Sequence, residues 1–503
     1  MLAVVVSRAD EASVHIGEQL RELGDWTTHE DDSRADAAGG GTVHRLEAGA
    51  DRPDAAAASV ELREFEALHL DLERPAEAFG DPDLLAFVSR HSGETGALLT
   101  AHHTGNVGPA DHGGRANEFA RACPNAHARV LDALAAHAPE GYEVGMECTH
   151  HGPSEVGAPS MFVEVGSGPE QWADPAAARA VARAVLDLRG VSADSPPEGG
   201  ESDGAGRDER GPAAGARRQL LGLGGGHYAP RFERVVRETD WAVGHVAADW
   251  GLDTLDDGEY RPVVERLLAA SRAGYALVDG DRPEAVAAAE AAGARVVGET
   301  WVRETDGVPL PLVDAVEKEV ATVAEGLRFG EPAREDGAEE AAGPFVVADL
   351  PADLLDEARG IDRERTRELL AAQALAFVTD QGGTRPTGPA VLREASDFEA
   401  LVDGMIDVLR TRYDSVAREP EDGTEADRMG GDDAVIARES AFDAEKARTL
   451  GVPEGPKFGR LADGEAVEVD GERVPPEAVS TEREVRFSIP RTVRRPSDAG
   501  ENS

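Results

Sequence analysis

Through residues 1–297 the chain alternates short apolar runs with stretches of helical spacing. Leu2–Ser7 is a continuous apolar run of strand length, and Asp10–Leu23 follows with apolar positions at Val14, Ile16, Leu20 and Leu23, the pattern of a half-buried helix. Leu84–Arg90 and Ala97–His102 read as strands joined by a Ser-Gly-Glu-Thr-Gly turn, Arg115–His137 as a long helix, and Tyr142–Thr149 and Ser160–Val165 as strands. Asp174-Pro175 offers an N-cap and a first-turn proline to a helix ending at Leu188. Gln219–Leu223, Trp241–Val246, Tyr275–Val278 and Ala294–Val297 predict further strands with helices between them. This alternation predicts an α/β fold: a mixed, mostly parallel sheet flanked by helices.

Two stretches interrupt the pattern. Asp31–Ala58 and Ser192–Arg217 are rich in Gly, Ala, Asp, Glu and Pro and are expected to be solvated insertions with little to bury. Gly330–Gly343 has the same character and is read as an acidic linker closing a first domain of residues 1–329. Beyond it, Phe345–Arg412 carries helical periodicity around Leu354, Leu355, Leu369, Leu370, Leu375 and Phe377. A polar gap spans Glu419–Asp433, and Glu465–Val474 alternates about an Asp-Gly pair, the mark of a β-hairpin. Residues 344–485 thus form an additional C-terminal α+β region, and 486–503 read as a disordered tail.

Composition changes the picture in one respect. The formal charge is −47, and only Lys318, Lys446 and Lys457 among 51 basic residues are lysines. Such a surface suits a cytosol full of salt, where carboxylates hold hydration and keep a protein in solution. Molar salt shortens the Debye length to about 3 Å and weakens the counterion release that drives RNA binding, so net acidity says little for or against a nucleic-acid partner. Two cysteines, Cys123 and Cys148, give no disulfide framework and suit a reducing cytoplasm. The opening strand lacks a basic n-region, and no apolar stretch approaches the ~18 residues of a membrane span. A soluble cytoplasmic monomer is the expectation.

Chemistry concentrates in three histidine clusters: His102-His103-Thr104-Gly105-Asn106, Glu147-Cys148-Thr149-His150-His151-Gly152-Pro153, and Gly224-Gly225-Gly226-His227-Tyr228-Ala229-Pro230-Arg231. No histidine follows His245. Each cluster follows a predicted strand, which in an open α/β plan places all three beside the ligand-binding edge. Adjacent histidines on a strand point to opposite faces, so one of each pair is expected to ligate while its neighbour orients water or substrate. His102, Glu147, His150 and His151 offer imidazoles and a carboxylate to a borderline metal such as zinc, one ion or two. Metal-bound water is then the expected nucleophile toward an ester or amide carbonyl. Asn106, or the backbone amides around Gly105 and Gly152, would hold the oxyanion; Thr149 is counted with the catalytic set.

Gly225 and Gly226 lie in a turn that matches neither the dinucleotide nor the Walker pattern. With His227, Tyr228 and Arg231 they are read as a site for a terminal ribose or phosphate, the alternative being a tight turn that lets backbones approach. Cys148 is read as a core cysteine. His15, His29, His44, His69, His91, His112, His127 and His137 are read as surface or packing residues.

Taken together, the three clusters resemble the archaeal and plant type of D-aminoacyl-tRNA deacylase. Its His-x-x-Gly-Asn, Glu-x-Thr-His-His-Gly-Pro and Gly-Gly-Gly-His-Tyr-x-Pro-Arg segments are matched, in the same order, by residues 102–106, 147–153 and 224–231. The resemblance covers roughly residues 1–328. It implies zinc dependence, a fold like peptidyl-tRNA hydrolase and the phosphorylase group, and hydrolysis of the ester between a D-amino acid and tRNA, which frees the tRNA and keeps D-residues out of protein. The region beyond 330 has no counterpart in a compact catalytic unit of this kind. Rival readings are a metal hydrolase of small esters, amides or peptidyl-tRNA, and a non-catalytic tRNA-binding protein.

Overall fold

The computed structural model describes residues 1–47, 58–197, 217–335, 344–419, 433–490 and 493–495. Most of the expected insertion at 192–217, part of those at 31–58 and 330–343, the gap after Glu419 and most of the expected tail lie outside the described residues. The chain divides into two compact units, Met1–Asp306 and Gly307–Ser503, ahead of the acidic stretch at which the sequence reading sets its boundary.

The first unit begins with β1 (Leu2–Ser7), buried along its whole length, as a strand covered on both faces must be. Asp10 then caps α1 (Glu11–Glu22), its carboxylate accepting from the amides of Ala12 and Ser13. β2 (Thr27–Asp31), β3 (Gly41–Leu46) and β4 (Val60–Phe65) form antiparallel neighbours. The front of the expected insertion is therefore an edge hairpin, pinned because Val43 and Leu46 of β3 are buried. β5 (Leu84–Arg90), β6 (Leu98–His103), the two-residue β7 (Gly105–Asn106), α2 (Pro124–His137), β8 (Glu143–Met146), the two-residue β9 (His150–His151) and β10 (Ser160–Gly166) follow. α2 starts nine residues later than the sequence suggests, because Pro124 occupies its first turn and Ala120–Cys123 pair elsewhere. A short α3 (Pro169–Trp172) and α4 (Pro175–Asp187), capped by Asp174, complete this half.

The eight-stranded sheet runs β2-β3-β4-β1-β5-β10-β6-β8. Strands β4, β1, β5 and β10 are parallel, while β6 opposes β10 and carries β8 parallel to itself. α1 and α4 pack together across one face.

The remainder of the unit builds a second sheet. β11 (Gln219–Gly224), α5 (Pro230–Glu238), β12 (Ala242–Ala247), α6 (Asp249–Leu252), α7 (Asp257–Ser271), β13 (Tyr275–Asp279), α8 (Pro283–Ala291), β14 (Arg295–Val297) and α9 (Glu299–Glu304) alternate in order. All four strands are parallel in the order β12-β11-β13-β14. Two sheets thus replace the single expected one, and the whole is mixed and mostly parallel.

The second unit holds an antiparallel five-stranded sheet, built from 327–329, 376–380, 385–392, 346–348 and 493–494. Helices 352–361, 363–373 and 395–409 supply its core through Leu354, Leu370, Phe398, Leu401 and Met405. Strands 415–419, 433–442 and 480–489 form a separate antiparallel sheet. Residues 467–469 and 472–474 form the expected hairpin, with Asp470 and Gly471 both at positive φ, as its two-residue turn requires. Part of the expected tail is ordered, since 486–489 finish a strand and Val493 and Arg494 pair with Ala348 and Val347. No helix among the described residues is long and apolar enough to cross a membrane.

Candidate active site

Strand register assembles the first part of the site. In the β6–β10 pairing His102 stands opposite Phe162 and Thr100 opposite Glu164, and in the β5–β10 pairing Phe87 meets Phe162 and Ser89 meets Glu164. Opposed residues share a face, so His102, Phe162 and Glu164 emerge together from the sheet's surface. The Phe162 ring stacks on His102 with centroids 5.1 Å apart, and the Ser89 hydroxyl donates to Glu164 Oε1 at 2.7 Å. The site therefore combines this part of the sheet face with segments beyond strand ends, since His91 follows β5, Glu147 follows β8 and His227 follows β11. His103 points the opposite way, its ring 4.6 Å from His127 and 5.5 Å from His245.

Short backbone pairings bring the other clusters to that face. β7 and β9 pair antiparallel, Gly105 with His151 and Asn106 with His150. Gly105 sits at φ +134, where a Cβ would lie 2.3 Å from the Phe119 Cα; only glycine fits there. Glu147 bridges to Tyr228, and Cys148 N–H donates to the His227 carbonyl at 2.9 Å. The turn at Gly224 likewise needs glycine, since a Cβ would meet the Asp279 carbonyl at 2.1 Å.

Three imidazoles converge as a result. Each is tied at Nδ1 to a backbone carbonyl: His102 to its neighbour His103 at 3.0 Å, His150 to Cys148 at 2.8 Å, and His151 to Gly152 at 3.0 Å. An Nδ1–H that donates to a carbonyl leaves Nε2 as the lone-pair nitrogen. Nitrogens of the three rings lie within 4.8 Å of one another. Here both histidines of the second pair face inward, because the short β9 and the turn after it do not impose strand alternation; in the first pair only His102 does.

Two buried carboxylates border the trio. Glu164 Oε1 is 3.7 Å from His102 Nε2 and 3.8 Å from His151 Nε2. Glu147 Oε2 accepts from His227 Nε2 at 2.8 Å and lies 3.8 Å from His150 Nε2, while its Oε1 is 3.7 Å from His91 Nε2. Burial pushes both carboxyls up, yet the imidazoles outweigh it and hold both below the usual range, Glu164 well below. Burial, reinforced by the neighbouring rings, keeps the His150 pKa well below its ordinary value; for His102 the Glu164 carboxylate overcomes burial and raises it. His91, Glu147 and His227 form a second convergent group, and Cys148, His150 and His227 a third. Burial and Glu147 push the Cys148 thiol up to about 12, which leaves it a poor thiolate and supports its reading as a core residue.

The donor set suits a zinc-like ion. His102 Nε2 and Glu147 Oε1 are buried with no hydrogen-bond partner, and an unpartnered buried polar atom is costly unless something binds it. Three imidazoles are a known zinc set that leaves one position open. A cavity of about 560 Å³ opens over them, lined by Asp10, Arg90, His91, Glu147, Glu164 and Trp250 among others.

Other expected residues are placed elsewhere. The Asn106 amide donates to the carbonyls of Gly113 at 2.8 Å and Arg115 at 3.4 Å, so its donors hold a loop rather than an oxyanion. The Thr149 hydroxyl lies 2.9 Å from His245 Nδ1, out of the cluster. The Gly225 amide donates to Asp249 at 3.0 Å, and Arg231 pairs with Asp279 at 3.0 Å and Glu299 at 3.3 Å. Carboxylates thus occupy the groups expected to meet phosphate, and the glycines serve close backbone approach. Gly226 follows in the same turn, where a Cβ would meet only the Tyr228 carbonyl at 3.8 Å.

His91, assigned to packing from sequence, lies in the site, its Nδ1 3.0 Å from Ser167 Oγ and its Nε2 3.1 Å from the Tyr228 hydroxyl. His69 and His112 line the cavity as well. Glu164 and Trp250, outside the three histidine clusters, also line the cavity. A carboxylate inside the otherwise uncharged run Ser160–Gly166 was the available signal, as was a histidine directly after β5.

The model of a family described as D-aminoacyl-tRNA deacylase matches residues 78–297, which contain every residue of the cluster. A D-aminoacyl-tRNA deacylase of Haloarcula marismortui is 53% identical over 97% of this chain and 100% of its own. One from Halorubrum lacusprofundi is 50% identical over 97% of each chain. One from Methanoregula boonei is 33% identical over 82% of this chain and 86% of its own. A solved structure described only as a conserved protein of unknown function is 26% identical, covering 61% of this chain and 98% of that one at a TM-score of 0.49. On the extent and identity of these matches, the chain belongs to the D-aminoacyl-tRNA deacylase family, hydrolases that act on an ester bond.

Proposed function

We propose that the protein hydrolyses the ester of D-aminoacyl-tRNA at a metal centre held by His102, His150 and His151, releasing free D-amino acid and tRNA. The observation that carries this is the convergence of three lone-pair nitrogens, each ring fixed from behind by a backbone carbonyl. A zinc ion held there would supply Lewis acidity and lower the pKa of a water to near neutrality. Glu164, ionised and facing two of the rings, takes the proton of the attacking water. Glu164 then passes that proton to the departing ribose oxygen, so the water's proton ends on the leaving group and the carboxylate is regenerated. His91, Glu147 and His227 offer a second set of donors to a further ion. The activity recycles tRNA charged with D-residues, and we assign it to a cytoplasmic monomer.

The test is hydrolysis of matched D- and L-tyrosyl-tRNA in molar KCl with and without a chelator. Rapid, chelator-sensitive loss of only the D-adduct is expected. Equal loss of both adducts, or equally fast cleavage of free D-tyrosine esters, would replace this reading with a general esterase. Stoichiometric tRNA binding without turnover would make the protein a binder.

A further inference from the structure

Among the described residues, Tyr228, Trp250 and Leu450 are the large hydrophobic side chains left exposed. Two of them stand at the active site, and the indole is the larger. Trp250 lies on the short helix α6, is 41% exposed, and lines the catalytic cavity beside Glu147 and His227. No aromatic ring among the described residues packs on Trp250, whereas Tyr228 is engaged by His91 and His227. Tyr228 and Trp250 bring exposed aromatic surface to one site rimmed by polar groups, and such apolar surface marks ligand binding.

From this geometry we infer that Trp250 is a stacking platform for the terminal base of the substrate's single-stranded 3′ end, setting the depth at which the aminoacyl ester enters the cavity. The inference rests on the reading of the cavity as an ester-hydrolysis site. Salt makes such a platform the natural solution. At molar ionic strength the Debye length is about 3 Å and phosphate contacts lose most of their counterion-release drive, while stacking of a base on an aromatic face persists. The nearby arginines Arg282 and Arg231 are already paired with Asp249, Asp253 and Asp279, so they do not stand open to phosphate.

The test has a binding arm and a kinetic arm, both on the full chain in molar KCl. Titrating the trinucleotide CCA into wild-type protein is expected to quench tryptophan fluorescence, and the quench is expected to vanish in Trp250→Phe. Trp250→Ala is expected to lose about 5- to 100-fold in kcat/KM on D-tyrosyl-tRNA, carried by KM. That loss should exceed any loss on D-tyrosine methyl ester, which has no base to stack. Trp250→Phe, which keeps an aromatic face, should recover part of it and so separates stacking from folding damage. Equal losses on the two substrates, or a quench that survives in Trp250→Phe, would overturn the assignment. If wild-type protein is quenched through Trp250 yet hydrolyses no aminoacyl-tRNA, the platform stands and the catalytic reading falls.

Discussion

The commitment of His102, His150 and His151 at Nδ1 makes each replaceable by nothing that lacks a matching second nitrogen. Alanine at any of them is expected to lower kcat/KM by more than the roughly 10–100-fold that loss of an outer-shell partner costs, and to drop bound zinc, measured by mass spectrometry, below one per chain. Glu164→Gln separates base from ligand. It should retain zinc while losing about 100- to 10,000-fold in kcat, the usual worth of a positioned general base; loss of metal with activity would make Glu164 a ligand instead.

On the far side of β6, burial depresses His127 and His245 from 6.5 to about 4 each. Their rings stay neutral in the fold while the unfolded chain takes up protons below pH 6.5. Stability is therefore full above that pH and falls as pH drops toward 4, by up to about 3 kcal/mol per histidine. Urea midpoints at pH 7.5 and pH 5 should show the fall, and His245→Gln should make it shallower; a flat profile would remove the account. At this scale the sequence was legible where alternation rules applied. His102 and His103 split across a strand as period two demands, but His91 and Glu164 became functional only through register with neighbouring strands, which one strand's sequence does not contain.

Among the elements, the two-residue ladder of β7 and β9 carries more than its length suggests, for it fixes His150 and His151 against the end of β6. Gly105→Ala would force a side chain into the Phe119 backbone at an unfavourable φ, with about 1–3 kcal/mol of backbone strain before any clash is counted. A lower thermal midpoint together with lost zinc affinity is expected; a stable, fully metallated variant would contradict the role given to this ladder. Continuous apolar strands such as β1 and β5 were readable because burial on both faces leaves no polar position. The hairpin of β2 and β3 was not, since its composition is that of a loop and its order comes from pairing with β4.

For the whole molecule, the dominant fact is a formal charge of −47. Surface carboxylates repel one another across a Debye length of about 10 Å at 0.1 M salt and about 3 Å at 1 M. The unfolding temperature is expected to rise with KCl through this range, as a calorimetric series would show; independence of salt would mean that the surface ion pairs already neutralise the repulsion. The boundary between the two units escaped sequence reading because composition marks solvation, not where contacts cease.

The pairing of Glu147 with Tyr228 and of Thr149 with Val246 also has a consequence in time. Helices and neighbouring strands can form early from local contacts, but these links join distant parts of the chain and must wait for slow loop closure. Refolding from urea should therefore restore far-ultraviolet dichroism before it restores hydrolysis. A nascent chain likewise holds an unfinished pocket until the segment beyond Val246 has emerged, so the enzyme matures only after most of its first unit has been made.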